Sequence, residues 1–356
     1  MHFAEGEVPV EYTRYIGRKT VFIGGSIVLL VFLLIVSVSL GAANLSLGEV
    51  VLTIVGKTIS KRFDIIIWNI RLPQALSAVV AGAGLAVSGA VMQAILRNPL
   101  GSPFTLGISH AAAFGAAFSV MILGSGTMSS QAVGAVTISN PYLTTFMAFL
   151  FSLFAAGLIV VVSKVRGASP ETMVLMGIAL ASLFTAGTMV LQFFADDVQL
   201  AAMVFWTFGD VSRASWTELG VLAVVTGALM VYFMANSWSY NAIDAGDETA
   251  KGLGVKVDRV RVMGMIASSL MAAAIVSFLG IIGFVGLVCP HIVRRLIGGD
   301  HRFLMPATLV VGSIVLLGSD TAARLVLAPH LLPVSVLTAF MGAPVFIYLI
   351  LRGYRR

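Results

Sequence analysis

The sequence predicts an all-α polytopic membrane protein, a single transmembrane domain over residues 1–356 with about ten transmembrane helices. Composition is the first ground: 58% of the residues are hydrophobic, 11% are charged, and the mean hydropathy is +1.00. A soluble domain carries about 25% charged residues, so this chain cannot clothe a water-facing surface. The placement of charge is the second ground. No Asp, Glu, Lys or Arg occurs at 20–48, 72–96, 98–163, 172–195, 219–243, 262–293, 303–319 or 325–351. One helical span needs roughly 20 apolar residues, and no stretch between the spans is long enough for a second folded domain.

Residues 1–20 read as a tail, and the first span, 21–41, is too long for a signal-peptide core and is retained. The second span, 70–90, opens on RLPQ (Arg71–Gln74), with Pro73 in the first turn, where its missing N–H costs nothing. Arg71 is either a snorkelling arginine at a helix end or a basic contact for an acidic partner. Small residues follow in AGAGLAVSGA (Ala81–Ala90), which suit close helix packing, or else a conduit lined by nearby Gln93. RNPLGSP (Arg97–Pro103) is a stiff turn or a constriction at the inner mouth of a pathway. The 98–163 stretch holds two spans, 103–123 and 141–163, joined by a loop from Gly124 to Pro141.

Spans at 171–195 and 214–236 precede a segment at 237–258 that carries a polar island, Asp244–Asp258. Asp244, Asp247 and Glu248 open it, and Gly252 and Gly254 close it. Acids at the start and a glycine at the end suit a short helix, since they complement the dipole and permit a left-handed cap. Such a helix between spans is a ready contact for a soluble partner. The 262–293 stretch is too long for one span, and Gly280, Gly283, Gly286 and Pro290 offer a break between spans at 259–279 and 281–297. The ninth span, 304–326, places Asp320 and Arg324 four apart near its end, either as an internal ion pair or with Arg324 facing outward. The tenth is 333–351.

With the N-terminus inside, 16 Lys and Arg fall on inner segments and six outside. This bias puts both termini and the 237–258 segment in the cytoplasm of a cell-membrane protein. The net charge of +6 is mostly this bias and does not imply a nucleic-acid partner. No phosphate-loop, H-E-x-x-H or G-x-S-x-G pattern occurs, and the five histidines are scattered; His291 reads as a structural partner at the break rather than a ligand. Cys289 is the single cysteine, which excludes an intrachain disulfide. The expectation is therefore a non-catalytic chain with no catalytic residue, metal site or cofactor of its own.

The ordered set RLPQ at 71, SGAVMQAILRNPLGSPFTLGIS at 88–109, FWTFGDVSRASW at 205–216, DAGDETAKGLGV at 244–255, GFVGLVCPHIVRRLIGGDHR at 283–302 and SDTAARLVLAPHLLPVSVLTAFMGAPVFIYLI at 319–350 resembles the FecCD-type ABC importer permeases. The resemblance implies a type II importer architecture: a homodimer with a passage at its axis, two cytoplasmic ATPase subunits that bind ATP and Mg, and an extracytoplasmic substrate-binding protein. It places Arg71 and Arg324 where that protein's acids dock. Asn98 and Leu100 fall at the cytoplasmic gate, with Ser169 and Pro170 in its companion loop. Asp244, Asp247, Glu248, Ala250, Gly252, Leu253 and Gly254 fall on the segment that couples to the ATPase. Four departures stand out: Gln74 for a second basic residue, Ile281 for a proline, Leu331 for an acid, and Ser102 for an acidic residue. The implied cargo is an iron-siderophore, haem or cobalamin-type chelate, moved by alternating access. The rival reading is a proton- or sodium-coupled secondary transporter using Asp320; a membrane-embedded enzyme lacks any nucleophile–base or metal constellation.

Overall fold

The computed structural model describes residues 10–41, 45–57, 60–128, 136–138, 140–165, 169–327 and 331–351. Helices occupy all ten expected spans: α1 (Val10–Ser39), α4 (Leu72–Ile95), α5 (Ile108–Met121), α6 (Pro141–Val165), α7 (Pro170–Phe194), α9 (Trp216–Ala235), α12 (Val257–Leu279), α13 (Val285–Ile297), α14 (His301–Val326) and α15 (Val334–Leu351). Between them lie α2 (Leu47–Ile54), α3 (Lys61–Ile65), α8 (Asp197–Thr207), α10 (Ser237–Asp244) and α11 (Asp247–Gly252). A two-stranded antiparallel ladder, Gly126–Met128 with Val136–Ile138, falls in the loop between α5 and α6.

Among the described residues, seven helices are long and apolar enough to cross a membrane alone. The 14-residue α5 and 13-residue α13 are not. At 1.5 Å per residue they rise about 21 and 20 Å, short of a hydrocarbon core of roughly 30 Å. Each short helix is preceded by irregular chain, 96–107 before α5 and 280–284 before α13.

Several boundaries differ from the sequence expectation. α1 begins at Val10, so half of the expected tail is helix, carrying Arg14, Arg18 and Lys19 on its first turns. The second span is preceded by α3 and one π-helical turn, Ile66–Arg71, making a continuous helical run from Lys61 to Ile95. The break between α12 and α13 begins at Gly280, where the spans 259–279 and 281–297 put it, and extends to Phe284, whereas Pro290, also offered as a breaker, lies inside α13. Gly280 takes φ +78°, and a side chain there would strike the carbonyls of Trp206 and Phe208, so a glycine is needed on both counts. Asp196, whose side chain accepts from Gln199 N in a capping box, starts the unexpected helix α8.

Helix α4 is the axis of the packing. Of its residues only Gln74, Leu76, Val79 and Val80 escape full burial, as befits a helix apolar on every face. In the run Lys61–Ile95, 83% of an apolar 18-residue stretch is buried, against 11% of the corresponding stretch in α1. The small residues explain the difference. Gly82 meets Gly312 of α14, and Gly89 meets Gly286 of α13, so closely that a Cβ on either would overlap the facing backbone. The packing reading of AGAGLAVSGA therefore holds. Gln93 is buried rather than lining a conduit; it donates to Leu287 O at 3.2 Å and accepts from Arg294 at 3.1 Å.

Candidate functional site

The 237–258 segment folds as two short helices, α10 and α11, against the beginnings of α12 and α14, and the polar island supplies the second of them. Ala242, Ile243, Ala250 and Val257 form a small apolar cluster of their own, with Ala250 fully buried. The acids around it have different partners. Asp244, at the end of α10, meets His301 Nε2 at 2.9 Å. Asn241 donates to Asp300 at 3.0 Å and accepts from His301 N at 2.8 Å, so α10 is pinned to the start of α14. Asp247 receives both Nη2 contacts of Arg261, at 3.0 and 2.9 Å. Glu248 pairs with Lys251 at 3.1 Å on the open side, and its carboxylate holds the Lys251 ammonium above its usual range.

Thus Asp244 and Asp247, 37% and 31% exposed, are each engaged by a buried side chain of this chain, His301 and Arg261. Glu248 and Leu253 face outward; Leu253 is 70% exposed. Only Gly254 of the two closing glycines needs its freedom: its φ is +82°, while Gly252 is the last residue of α11. Arg261, His301 and Asn241 were not anticipated from sequence. Their partners lie 14, 57 and 59 residues away, beyond any local pattern.

The expected gate residues are adjacent to this assembly. Arg97 takes φ +45° and turns the chain out of α4. Asn98 Oδ1 accepts from Leu100 N at 2.9 Å, and Gly101 N donates to Asn98 O at 3.0 Å, which makes 98–101 a self-bonded turn. His291 Nε2 donates to Pro99 O at 3.0 Å, consistent with a structural role. Ser169 caps α7 by accepting from Thr172 N, with Pro170 at the first helical position. A cavity of about 510 Å³ joins the two groups, with Arg97, Ser169 and Pro170 on one wall and Asp247, Lys251 and Arg261 on another.

The opposite end of the bundle holds the other expected pair. Arg71 is 6% exposed; its Nη1 donates to Val38 O and Ser39 O, both at 2.8 Å, satisfying carbonyls at the end of α1. Arg324 donates to Ser37 Oγ at 2.7 Å and to Ser37 O and Leu40 O at 3.3 Å. Its Nε lies 3.1 Å from Asp320, a charge contact rather than a directed hydrogen bond. Gln74, where the resemblance would put a cation, donates to Asp320 at 3.0 Å. Asp320, on which the secondary-transporter reading depends, is thereby held between Arg324 and Gln74. Each of the two arginines is anchored to α1.

The FecCD transport family model matches residues 29–352. The chain belongs to the FecCD transport family. This FecCD permease is 50% identical, over 98% of its length and 99% of the relative's, to a protein of Methanocaldococcus jannaschii named as an ABC transporter permease. It is 36% identical to the hemin transport system permease protein HmuU of Yersinia pestis, over 94% and 96% of the two chains. A solved structure described as an inward-facing conformation of a metal-chelate type ABC transporter superposes with a TM-score of 0.80 at 31% identity, covering 93% of this chain and 99% of that one. The FecCD permease is therefore a multi-pass ABC permease, and its helical fold is that of this transporter class.

Proposed function

We propose that the chain is the transmembrane subunit of an ATP-driven importer for a metal chelate of the iron-siderophore, haem or cobalamin type. Two copies would enclose the passage, two cytoplasmic ATPases would drive it by alternating access, and a binding protein outside would deliver the cargo. The observation that carries this reading is the placement of α11. A short helix offers Glu248 and Leu253 to a partner, Ala250 packs it onto α10 and α12, and Asp247 shares a cavity with Leu96 and Arg97, the residues that lead from α4 into the turn at Asn98–Leu100. A force applied to α11 from below would reach the gate without crossing the bundle. ATP binding can shift the two-state equilibrium only through contacts that differ between the states, and α11 is built to be such a contact. Relatedness to a hemin permease and to a metal-chelate type transporter supports the cargo class.

At the other end, Arg71 and Arg324 would receive acids of the binding protein, twice over in a homodimer. Both cations already have partners in this chain, so docking would share them rather than employ free charges.

The test is reconstitution of the permease with its ATPase and binding protein in liposomes. Labelled ferric siderophore, haemin and cyanocobalamin would each be offered with ATP inside, and with a proton or sodium gradient but no ATP. Uptake of one chelate only with ATP is expected. Uptake driven by a gradient alone would overturn the importer in favour of the secondary transporter.

A further inference from the structure

Arg261 is among the largest fully buried side chains in the molecule, 2% exposed, on the second turn of α12. Its guanidinium faces two ways. Nε donates to Ile95 O at 2.8 Å, and Nη2 reaches both oxygens of Asp247 at 3.0 and 2.9 Å. Ile95 is the last residue of α4, two positions before Arg97 turns the chain toward Asn98. Asp247 is the first residue of α11. A single side chain therefore joins the outward-facing short helix to the end of the central helix that leads into the gate turn. The neighbouring helix α10 is attached differently, to α14 through His301 and Asp300.

We propose that Arg261 is a positioning residue that transmits displacement of α11 to the gate turn through the Ile95 carbonyl. The proposal rests on the coupling role given to α11 above. Separating Asp247 from Arg261 would take from a buried cation the carboxylate that meets its fork, which is strongly unfavourable. Asp247 and Arg261 must then move together, and Arg261 holds Ile95 in a fixed fork geometry. Lys251, Arg97, Glu171 and Asp258 line the same cavity. They provide no substitute for the planar fork that serves a carbonyl on one side and a carboxylate on the other. A lysine at 261 would keep the charge but not both contacts.

The experiment uses the full permease–ATPase complex in lipid, with Cys289→Ala removing the native thiol. Spin labels at Phe104→Cys, beside the gate turn, and at Thr249→Cys, on α11, report distances between the two copies before and after trapping with MgATP and vanadate. Both distances are expected to change in the parent. In Arg261→Met and Arg261→Lys the change at 249 persists, the change at 104 is lost, and ATP hydrolysis stays within about twofold, while coupled uptake falls by roughly tenfold or more. A parent-like change at 104 in either variant overturns the tether. If Arg261→Met does not assemble, Asp247→Asn cuts the same link from its half-exposed end, and its readout is the distance at 104 alone: loss of the change supports the tether and a parent-like change overturns it. No change at 249 in the parent would instead sink the coupling role of α11 itself, which separates the two failures.

Discussion

Asp320 and Arg324 stand one helical turn apart on α14, with side chains 5% and 12% exposed. Arg324→Glu would remove the cation beside Asp320 and set a second carboxylate one turn away from it. Breaking a buried pair costs about 3 kcal/mol or more, so the variant should lose thermal stability in detergent, and Asp320→Asn should recover part of the loss. Arg71 has a separate job. Arg71→Ala would leave Val38 O and Ser39 O without these donors, a cost of about 1–3 kcal/mol for buried polar groups. If docking also uses these cations, affinity for the binding protein should drop further in the Glu variants. The drop should be greatest at low salt, since the Debye length is about 30 Å at 0.01 M. Unchanged affinity in a folded Arg324→Glu protein would remove its docking role.

Helix α11 depends on features that substitutions can take apart. Glu248→Arg places two cations beside each other on the open face and should abolish coupled transport without unfolding the chain, because Glu248 is 90% exposed. Retained transport would take the partner contact away from this face. Gly254→Val forces a β-branched residue to φ +82°, costing about 1–2 kcal/mol, and should loosen the turn into α12. The start of α14 carries a pH-dependent cap. Burial pushes the Asp300 carboxyl up, but hydrogen bonds from Arg302 and Asn241 outweigh it and bring its pKa down to about 2. Because the folded value lies below the ordinary one near 4, this stabilisation is complete above that range. It is lost as pH falls toward 2, a matter of about 2 kcal/mol. Thermal melts between pH 4 and 2 should therefore fall in the parent and run flatter in Asp300→Asn.

Across the whole molecule, orientation is the expectation most directly measured. In a Cys289→Ala background, Lys57→Cys should react with an impermeant maleimide in intact cells, and Thr249→Cys only after permeabilisation. Both positions are exposed. The reverse pattern would invert the topology and put α11 out of reach of any cytoplasmic ATPase. Close packing along α4 makes a second prediction at this scale. Gly89→Leu would drive a side chain into the backbone of Gly286, and the dimer should fail to assemble, whereas Gly24→Leu, with nothing near its Cβ, should be tolerated.

The spans, the short helix after the sixth of them and the place of the gate turn were legible in the sequence because each depends on local order: a run of apolar residues, acids before glycine, prolines around asparagine. The break after α12 was legible between the spans 259–279 and 281–297, but Gly283, Gly286 and Pro290 stood beside Gly280 as candidates, and only the packed carbonyls of Trp206 and Phe208 show why Gly280 is the one required. What tertiary structure decided is which charges are at liberty. Asp247 and Glu248 are neighbours in sequence with the same chemistry, yet one faces Arg261 from 14 residues away and the other faces outward beside Lys251. Arg71 and Arg324 likewise look like surface cations until α1 is laid across them. A buried charge needs its partner at hydrogen-bond distance, and that distance is set by how helices remote in sequence come together, which no local pattern records.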